Sequence, residues 1–115
     1  MHELSIAFNI VEIAKESVEK SNANTVTEIE LEVGELSGVV YDALEFALEE
    51  AVKNSILENA KRIVHKVKAV AKCESCSHEF DANDIFTPCP KCKSMQNDII
   101  QGKELKVKSI KAELI

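Results

Sequence analysis

Two segments of the chain show the spacing of apolar residues that is typical of amphipathic helices. Between residues 3 and 20, apolar side chains recur every three or four positions and charged residues take the opposite side. The run Ser21-Asn22-Ala23-Asn24 favours a turn and ends this helix. A second helix is predicted from about Tyr41 to Lys53, with Asp42 near its start, where a carboxylate suits the helix dipole.

Three further segments alternate between apolar and polar residues, which predicts strands. From Thr25 to Val33, three glutamates line one side of the chain and form a solvated face. Residues 62–71 form the next predicted strand, and His65 falls on its apolar side, where a hydrogen-bonded core residue is a better interpretation than a ligand. In the last strand, from about Lys103 to Leu114, the apolar residues change from odd to even positions, which indicates a β-bulge near Ser109.

The order of these elements predicts an α+β fold. It consists of a three-stranded sheet covered by two helices, with an inserted zinc-ribbon (rubredoxin-like) lobe between the last two strands. We expect residues 1–71 plus 99–115 to form the α/β domain and residues 72–98 to form the lobe. The two ends of the lobe then lie close together.

The lobe contains all four cysteines of the protein, in two Cys-x-x-Cys pairs. Cys73 and Cys76 are separated by twelve residues from Cys89 and Cys92. Four sulfurs at tetrahedral corners are the ligand set of a structural Zn(II) site, which has no open position for a substrate. Disulfides, redox chemistry and an iron–sulfur cluster are the alternatives, and we favour zinc because redox Cys-x-x-Cys pairs usually occur singly.

The lobe has few apolar side chains with which to build a core of its own. Between Cys73 and Asp98, the larger ones are Phe80, Ile85, Phe86 and Met95. A core this small does not fold independently, so the free energy of metal binding would also be the folding free energy of the lobe.

The charge of the chain argues against nucleic acid as a partner. Twenty acidic residues outnumber 14 basic ones, for a net charge of −6, and the cysteine-rich segment is acidic as well. Such a surface repels phosphates. The sequence shows no bilayer-spanning run and no signal peptide, and metal-type cysteine pairs suit a reducing compartment, so we expect a cytoplasmic protein without membrane contact. Phosphate loops, nucleophile elbows and His-Glu-x-x-His helices are absent, so we do not expect an enzyme.

The N-terminus carries a second possible metal site. A bulky residue at position 2 favours retention of Met1. Its amine, the backbone nitrogen of His2 and the imidazole of His2 can then place three nitrogens in one plane, as Ni(II) and Cu(II) prefer. The fourth donor would come from farther away, from His78, a carboxylate or a partner. From these residues alone, an incidental exposed histidine is the commoner explanation.

Several separated motifs, taken in order, resemble the HypA/HybF family of nickel metallochaperones for hydrogenase maturation. They are Met1–Ser5, Gly34–Val39, the two cysteine pairs and Gly102–Leu105 with the closing strand. The resemblance implies that nickel binds at Met1, His2 and Glu3 of the α/β domain. Met1 would provide its amine and His2 its imidazole and amide, whereas Glu3 is linked to nickel binding and partner contact. The resemblance also implies a structural zinc at Cys73, Cys76, Cys89 and Cys92. Ser77 departs from the family pattern, in which a glycine is common at that position.

The same resemblance implies that Ni(II) is a transient cargo, delivered to the large subunit of a nickel–iron hydrogenase with help from a partner GTPase. Some members also serve urease, so urease maturation proteins are further candidate partners. We expect the lobe to orient His78 or a partner group towards Met1–Glu3. A zinc-stabilised protein-interaction module without nickel delivery is the alternative. The sequence leaves open a monomer, a homodimer and a dimer swapped through hinges near Ala71 and Ile99.

Overall fold

The computed structural model describes residues 2–114, which form two helices and six strands. Helix α1 spans Glu3–Ser21 and α2 spans Tyr41–Ala51. The strands form two three-stranded sheets, with the orders β2-β1-β6 and β4-β3-β5. Their bounds are β1 Thr25–Gly34, β2 Lys61–Val67, β3 Val70–Cys73, β4 Glu79–Asp81, β5 Asn97–Gln101 and β6 Leu105–Glu113. The predicted fold class, with two helices, a three-stranded sheet and a cysteine-rich insertion, is confirmed. Neither helix of this described part is long and apolar enough to cross a membrane.

Helix α1 follows the predicted apolar stripe. Its buried residues are Ala7, Ile10, Ala14 and Val18, which recur on one side of the helix. Asn22 follows the helix in the left-handed conformation, with φ 61°, which is a common way for a helix to end.

Helix α2 is two residues shorter than predicted. It ends at Ala51. The Val52 N–H still donates to the Leu48 carbonyl four residues back, but the Lys53 N–H donates to the Glu50 carbonyl, three residues back, at 3.3 Å. Asn54 then adopts φ 59°, and its N–H donates to the Glu58 carboxylate at 2.6 Å. These contacts end the helix before the apolar pattern does.

One compact unit of the chain comprises Val39–His65 together with the described residues of Met1–Leu31 and Lys106–Ile115. Helices α1 and α2 pack against each other in it. Its most deeply buried large side chains are Ile29 and Leu31 of β1, Leu44 and Leu48 of α2, and Leu57.

The prediction of a single strand over residues 62–71 is wrong. Residues Lys61–Val67 form β2 and Val70–Cys73 form β3, and the two strands belong to different sheets. The pattern of alternation continues across the break, so it gives no sign of the change of sheet. His65 is exposed rather than part of the core, although it does form a hydrogen bond: its Nε2 lies 3.1 Å from the Glu30 carboxylate.

A second compact unit comprises Glu32–Gly38 and Lys66–Leu105, a wider part of the chain than the lobe predicted over residues 72–98. In its sheet, β3 pairs antiparallel with β4 and with β5. Its buried core is small and contains Ala69, Ala71, Cys73, Phe80, Ala82 and Cys89.

Two glycines allow a close backbone contact within this second unit. A Cβ on Gly34 would lie 2.0 Å from the carbonyl oxygen of Gly102. Gly102 has φ +109°, and a Cβ there would lie 2.5 Å from the Cα of Ala69. Hydrogen bonds run beside this contact, since the Leu36 N–H donates to the Gly102 carbonyl at 2.7 Å. Only glycine fits at these two positions.

The burial of β6 changes phase where the sequence pattern does. Leu105 and Val107 are half-buried, as are Ile110 and Ala112, while Lys108 and Ser109 are both exposed. The half-buried residues therefore have odd numbers in the first half of the strand and even numbers in the second half. The change occurs at the position where we predict the bulge.

Candidate metal centre

The two Cys-x-x-Cys segments adopt the same backbone arrangement. In the first, the Ser77 N–H donates to the Cys73 carbonyl at 2.9 Å, and the Cys73 N–H donates to the His78 carbonyl at 2.9 Å. The second repeats both bonds, from Lys93 to Cys89 at 2.7 Å and from Cys89 to Ser94 at 3.0 Å. Each segment is thus a tight turn with its two sulfurs on the same side.

One residue in each turn takes the left-handed conformation. Ser77 and Lys93, each directly after the second cysteine of its pair, both have φ 63°. Side chains other than glycine rarely adopt this conformation. The serine that departs from the family pattern therefore keeps the turn, in a backbone conformation that glycine would adopt more easily.

The four sulfurs lie together. One ligand atom from each of the four cysteines lies within 4.8 Å of the other three, and none is in a disulfide. The Cys73 and Cys92 sulfurs are 3.4 Å apart, and those of Cys76 and Cys89 are 3.7 Å apart. A tetrahedral site with metal–sulfur bonds of about 2.3 Å needs sulfurs about 3.8 Å apart. The cluster therefore has the size and the donor set of a structural metal site.

The ionisation of the thiols supports a bound cation. The Cys76 N–H donates to the Cys73 sulfur and, against the effect of burial, lowers the pKa of Cys73 to about 6. At Cys92, the Ser94 N–H lowers the pKa of the thiol. The neighbouring sulfurs, led by that of Cys73, act together with burial in the opposite direction and raise the pKa of Cys92 to about 12. Negative charge on one sulfur thus opposes ionisation of another. A divalent cation removes this conflict because it stabilises several thiolates at once.

The sulfurs are also part of the core of the second unit. Cys73 and Cys89 are buried and pack in one cluster with Phe80 and three alanines, and Cys76 packs against it. Ile85, Phe86 and Met95 are all more than half exposed and add nothing to this core. The core of this unit is therefore too small without the metal site that it surrounds.

The predicted N-terminal site lies at the start of α1. Met1 is outside the described residues. His2 is exposed and is the N-cap of α1, and its carbonyl accepts the Ile6 N–H at 3.2 Å. The backbone N–H of an N-cap residue has no acceptor within the helix, so a metal can displace the His2 amide proton without breaking a helix hydrogen bond.

Glu3 is fixed by hydrogen bonds of its carboxylate. The pKa of Glu3 is lowered, first by its own N–H and then by the Val40 N–H, which donates to the carboxylate at 3.3 Å. Val40 is the N-cap of α2, so this bond ties the first turn of α1 to the start of α2. Its donor is a backbone group, which no sequence pattern identifies.

His78 has its own contact within the second unit. It is half-buried and its ring stacks on Phe80, with centroids 6.2 Å apart and an angle of 18° between the planes. Among the described residues, one group of at least three His, Cys, Asp or Glu side chains is arranged so that it could hold a metal ion. This group consists of the four cysteines.

Comparison with known proteins agrees with this picture. Residues 1–112 match the family described as HypA, hydrogenase/urease nickel incorporation, metallochaperone. The hydrogenase maturation factor HypA of Parabacteroides distasonis is 49% identical over 110 residues, which cover 96% of each chain. The corresponding protein of Francisella philomiragia is 40% identical over 111 residues, or 96% of this chain and 97% of the relative.

The fold is also shared with a solved relative. The solution structure of the Ni metallochaperone HypA from Helicobacter pylori superposes with a TM-score of 0.70 at 26% identity, over 100% of both chains. The resemblance that the separated sequence motifs indicated is therefore confirmed over nearly the full length. The chain belongs to the HypA family of metallochaperones for nickel incorporation into hydrogenase and urease.

Proposed function

We propose that this protein binds Ni(II) through Met1, His2 and Glu3 and delivers it to the large subunit of a nickel–iron hydrogenase. The observation that carries the proposal is the match of residues 1–112 to a nickel-incorporation family, in a chain that begins Met-His-Glu. A partner GTPase assists delivery, as in the family that the motifs resemble, and urease maturation proteins are further candidate partners.

The local structure supports a nickel site at this position. The His2 side chain is exposed and its amide is not needed by α1, so the amide and the imidazole are both accessible to a metal. The carboxylate of Glu3 is held beside them by the Val40 N–H. Three nitrogens in one plane favour Ni(II) or Cu(II) over zinc.

Release of the cargo also follows from this position. A cation at a helix N-terminus meets the positive end of the dipole, which weakens its binding by about 0.3–1 kcal/mol. The start of α2 lies at the other end of the Glu3–Val40 hydrogen bond and adds a second such dipole. A site of few ligands between two helix N-termini holds nickel less firmly than a closed site, which suits a carrier.

We further propose that the metal at Cys73, Cys76, Cys89 and Cys92 is Zn(II) and that its role is structural. Four thiolates are typical of structural zinc sites, and the sulfur distances of 3.4 and 3.7 Å fit a tetrahedral ion. None of the four cysteines is in a disulfide, and metal-type cysteine pairs suit a reducing compartment, so we place the protein in the cytoplasm.

A titration with Ni(II) tests the nickel proposal. Zinc-loaded protein is titrated by calorimetry, with absorption spectra, as the native chain and as His2→Ala. The matched control is His65→Ala, because His65 is also an exposed histidine in the first unit but is hydrogen-bonded to Glu30. We expect about one nickel per chain and a planar Ni(II) spectrum, both lost in His2→Ala and kept in His65→Ala.

The same titration decides between the open alternatives. Equal binding by the native chain and His2→Ala, or no binding by either, contradicts the N-terminal site and leaves a zinc-stabilised interaction module. His78→Ala tests the fourth donor: unchanged nickel affinity contradicts a role for His78.

A further inference from the structure

The two helices of the first unit leave an apolar groove between them. The groove has a volume of about 530 Å³, within the usual range for ligand pockets. Leu4 and Phe8 of α1 are 50% and 54% exposed, and Phe46 of α2 is 68% exposed. Ala43 and Ala47 line the groove as well, and these small residues leave room between the larger ones. Large apolar side chains with this much exposed surface, grouped in one place, are typical of an interaction site.

The spacing of these residues suits a helical partner. Leu4 and Phe8 lie one turn apart on α1, and Ala43, Phe46 and Ala47 lie on one side of α2. A groove between two helices accepts the apolar side of a third amphipathic helix, which inserts residues at intervals of three and four positions.

The rim of the groove is acidic. Glu3 and Glu50 line it directly. None of the seven described residues that line the groove is a lysine or an arginine. Lys53 pairs with Glu50 at 3.0 Å, but both side chains are more than half exposed, and such pairs contribute little. The charge around the groove therefore attracts a basic partner.

A second copy of this chain does not meet that requirement. It would bring the same acidic rim and a net charge of −6 to the interface. Repulsion between like charges opposes such a contact.

We propose that the groove between α1 and α2 binds an amphipathic helix with apolar residues on one side and lysines or arginines on the other, contributed by the protein that receives the nickel. This last point rests on the proposed function. The groove shares Glu3 with the predicted nickel site, so a helix bound there places its protein beside the cargo. Docking and transfer then occur at adjacent positions on one unit.

A synthetic peptide tests the groove without nickel. It is a labelled amphipathic helix of about 18 residues, with leucine and phenylalanine on one side and lysine on the other. Its binding to the zinc-loaded protein is followed by fluorescence anisotropy. We expect saturable binding that is about tenfold weaker for Phe46→Ser. The matched control is Ile13→Ser, which also changes a half-exposed apolar residue of the helices but lies outside the groove; it should bind as the native chain does.

Charge is tested with a second peptide in which glutamates replace the lysines. It should bind about tenfold more weakly, and binding of the lysine peptide should weaken as salt rises from about 50 to 300 mM. Equal binding of both peptides, equal effects of Ile13→Ser and Phe46→Ser, or no binding overturns the proposal. So does a dimer in sedimentation equilibrium that Phe46→Ser dissociates, because a second copy is then the occupant.

Failure of the nickel proposal remains distinguishable. His2→Ala should bind the lysine peptide as the native chain does. If the titration shows no nickel binding, the expected binding of the lysine peptide is unaffected. If the lysine peptide does not bind, the proposal that the groove is a docking site is contradicted, and the nickel proposal is unaffected.

Discussion

Ser77 and Lys93 carry backbone strain that the metal-binding turns require. Both adopt φ 63° directly after a cysteine, and both donate the hydrogen bond that closes their turn. The left-handed conformation costs an L-residue roughly 1–2 kcal/mol. The family resemblance identified Ser77 as a departure from the usual glycine. Only the structure shows that Ser77 still closes the turn in the same way as Lys93 does in the second cysteine pair. Lys93, at the equivalent position of the second turn, was not singled out by the sequence motifs.

Replacing either residue with glycine should therefore stabilise the zinc-loaded protein. We expect Ser77→Gly and Lys93→Gly each to raise the free energy of unfolding by about 0.5–1 kcal/mol, the relief of strain less the added entropy of the unfolded chain. Ser75→Gly and Lys91→Gly are matched controls at positions of the same turns without a positive φ, and they should destabilise the protein. Denaturant unfolding of the four variants gives the comparison, and a loss of stability in both test variants would contradict the strain argument.

At the scale of elements, the contact between Gly34 and Gly102 holds the end of β1 against the segment before β6. A Cβ on Gly34 would meet backbone atoms at 2.0 and 2.2 Å, and backbone moves less readily than a side chain. We expect Gly34→Ala to destabilise the protein by about 3 kcal/mol or more. Gly38→Ala is the comparison variant, because Gly38 has a positive φ of 86°, and that conformation should cost an alanine about 1 kcal/mol. Equal unfolding free energies for the two variants would show that the chain relaxes around the added methyl group.

The elements differ in how far the sequence determines them. Helix α1 was predicted nearly to its ends, because its apolar stripe and its terminal Asn22 agree. The break between β2 and β3 was missed, since alternation continues across Lys68 and Ala69. What separates the strands there is long-range: the Ala82 N–H donates to the Ala69 carbonyl at 3.0 Å, and Lys68 pairs with Asp81 at 2.8 Å. Neither contact leaves a periodic signal.

At the scale of the whole molecule, the chain divides into two compact units, and the second covers a wider part of the chain than the lobe predicted over residues 72–98. The second unit includes residues 32–38, which lie far along the chain from the cysteines. Backbone contacts recruit this segment, among them the bond from the Glu35 N–H to the Val67 carbonyl at 2.9 Å, and Leu36 packs against the small core. A pattern of side chains cannot reveal contacts that glycine and backbone make. The cysteine spacing, by contrast, predicted the sulfur cluster directly.

The division into two units predicts an unequal response to removal of the metal. The core of the second unit contains two of the four sulfurs and three alanines, whereas the first unit buries large side chains such as Ile29, Leu44, Leu48 and Leu57. Metal binding supplies folding free energy where a core is too small. We therefore expect a strong chelator to abolish amide protection from hydrogen exchange in β3, β4 and β5 and to leave it in α1 and α2. Acid should have the same selective effect, because protons compete with the metal for the thiolates. The pKa of Cys73 is lowered to about 6 even without a metal, and a bound cation lowers it further, so the stabilisation is lost only as the pH falls below that value. Protection that survives chelation in β3 would show that the alanine core suffices, and loss of protection throughout α1 would show that the two units fold as one.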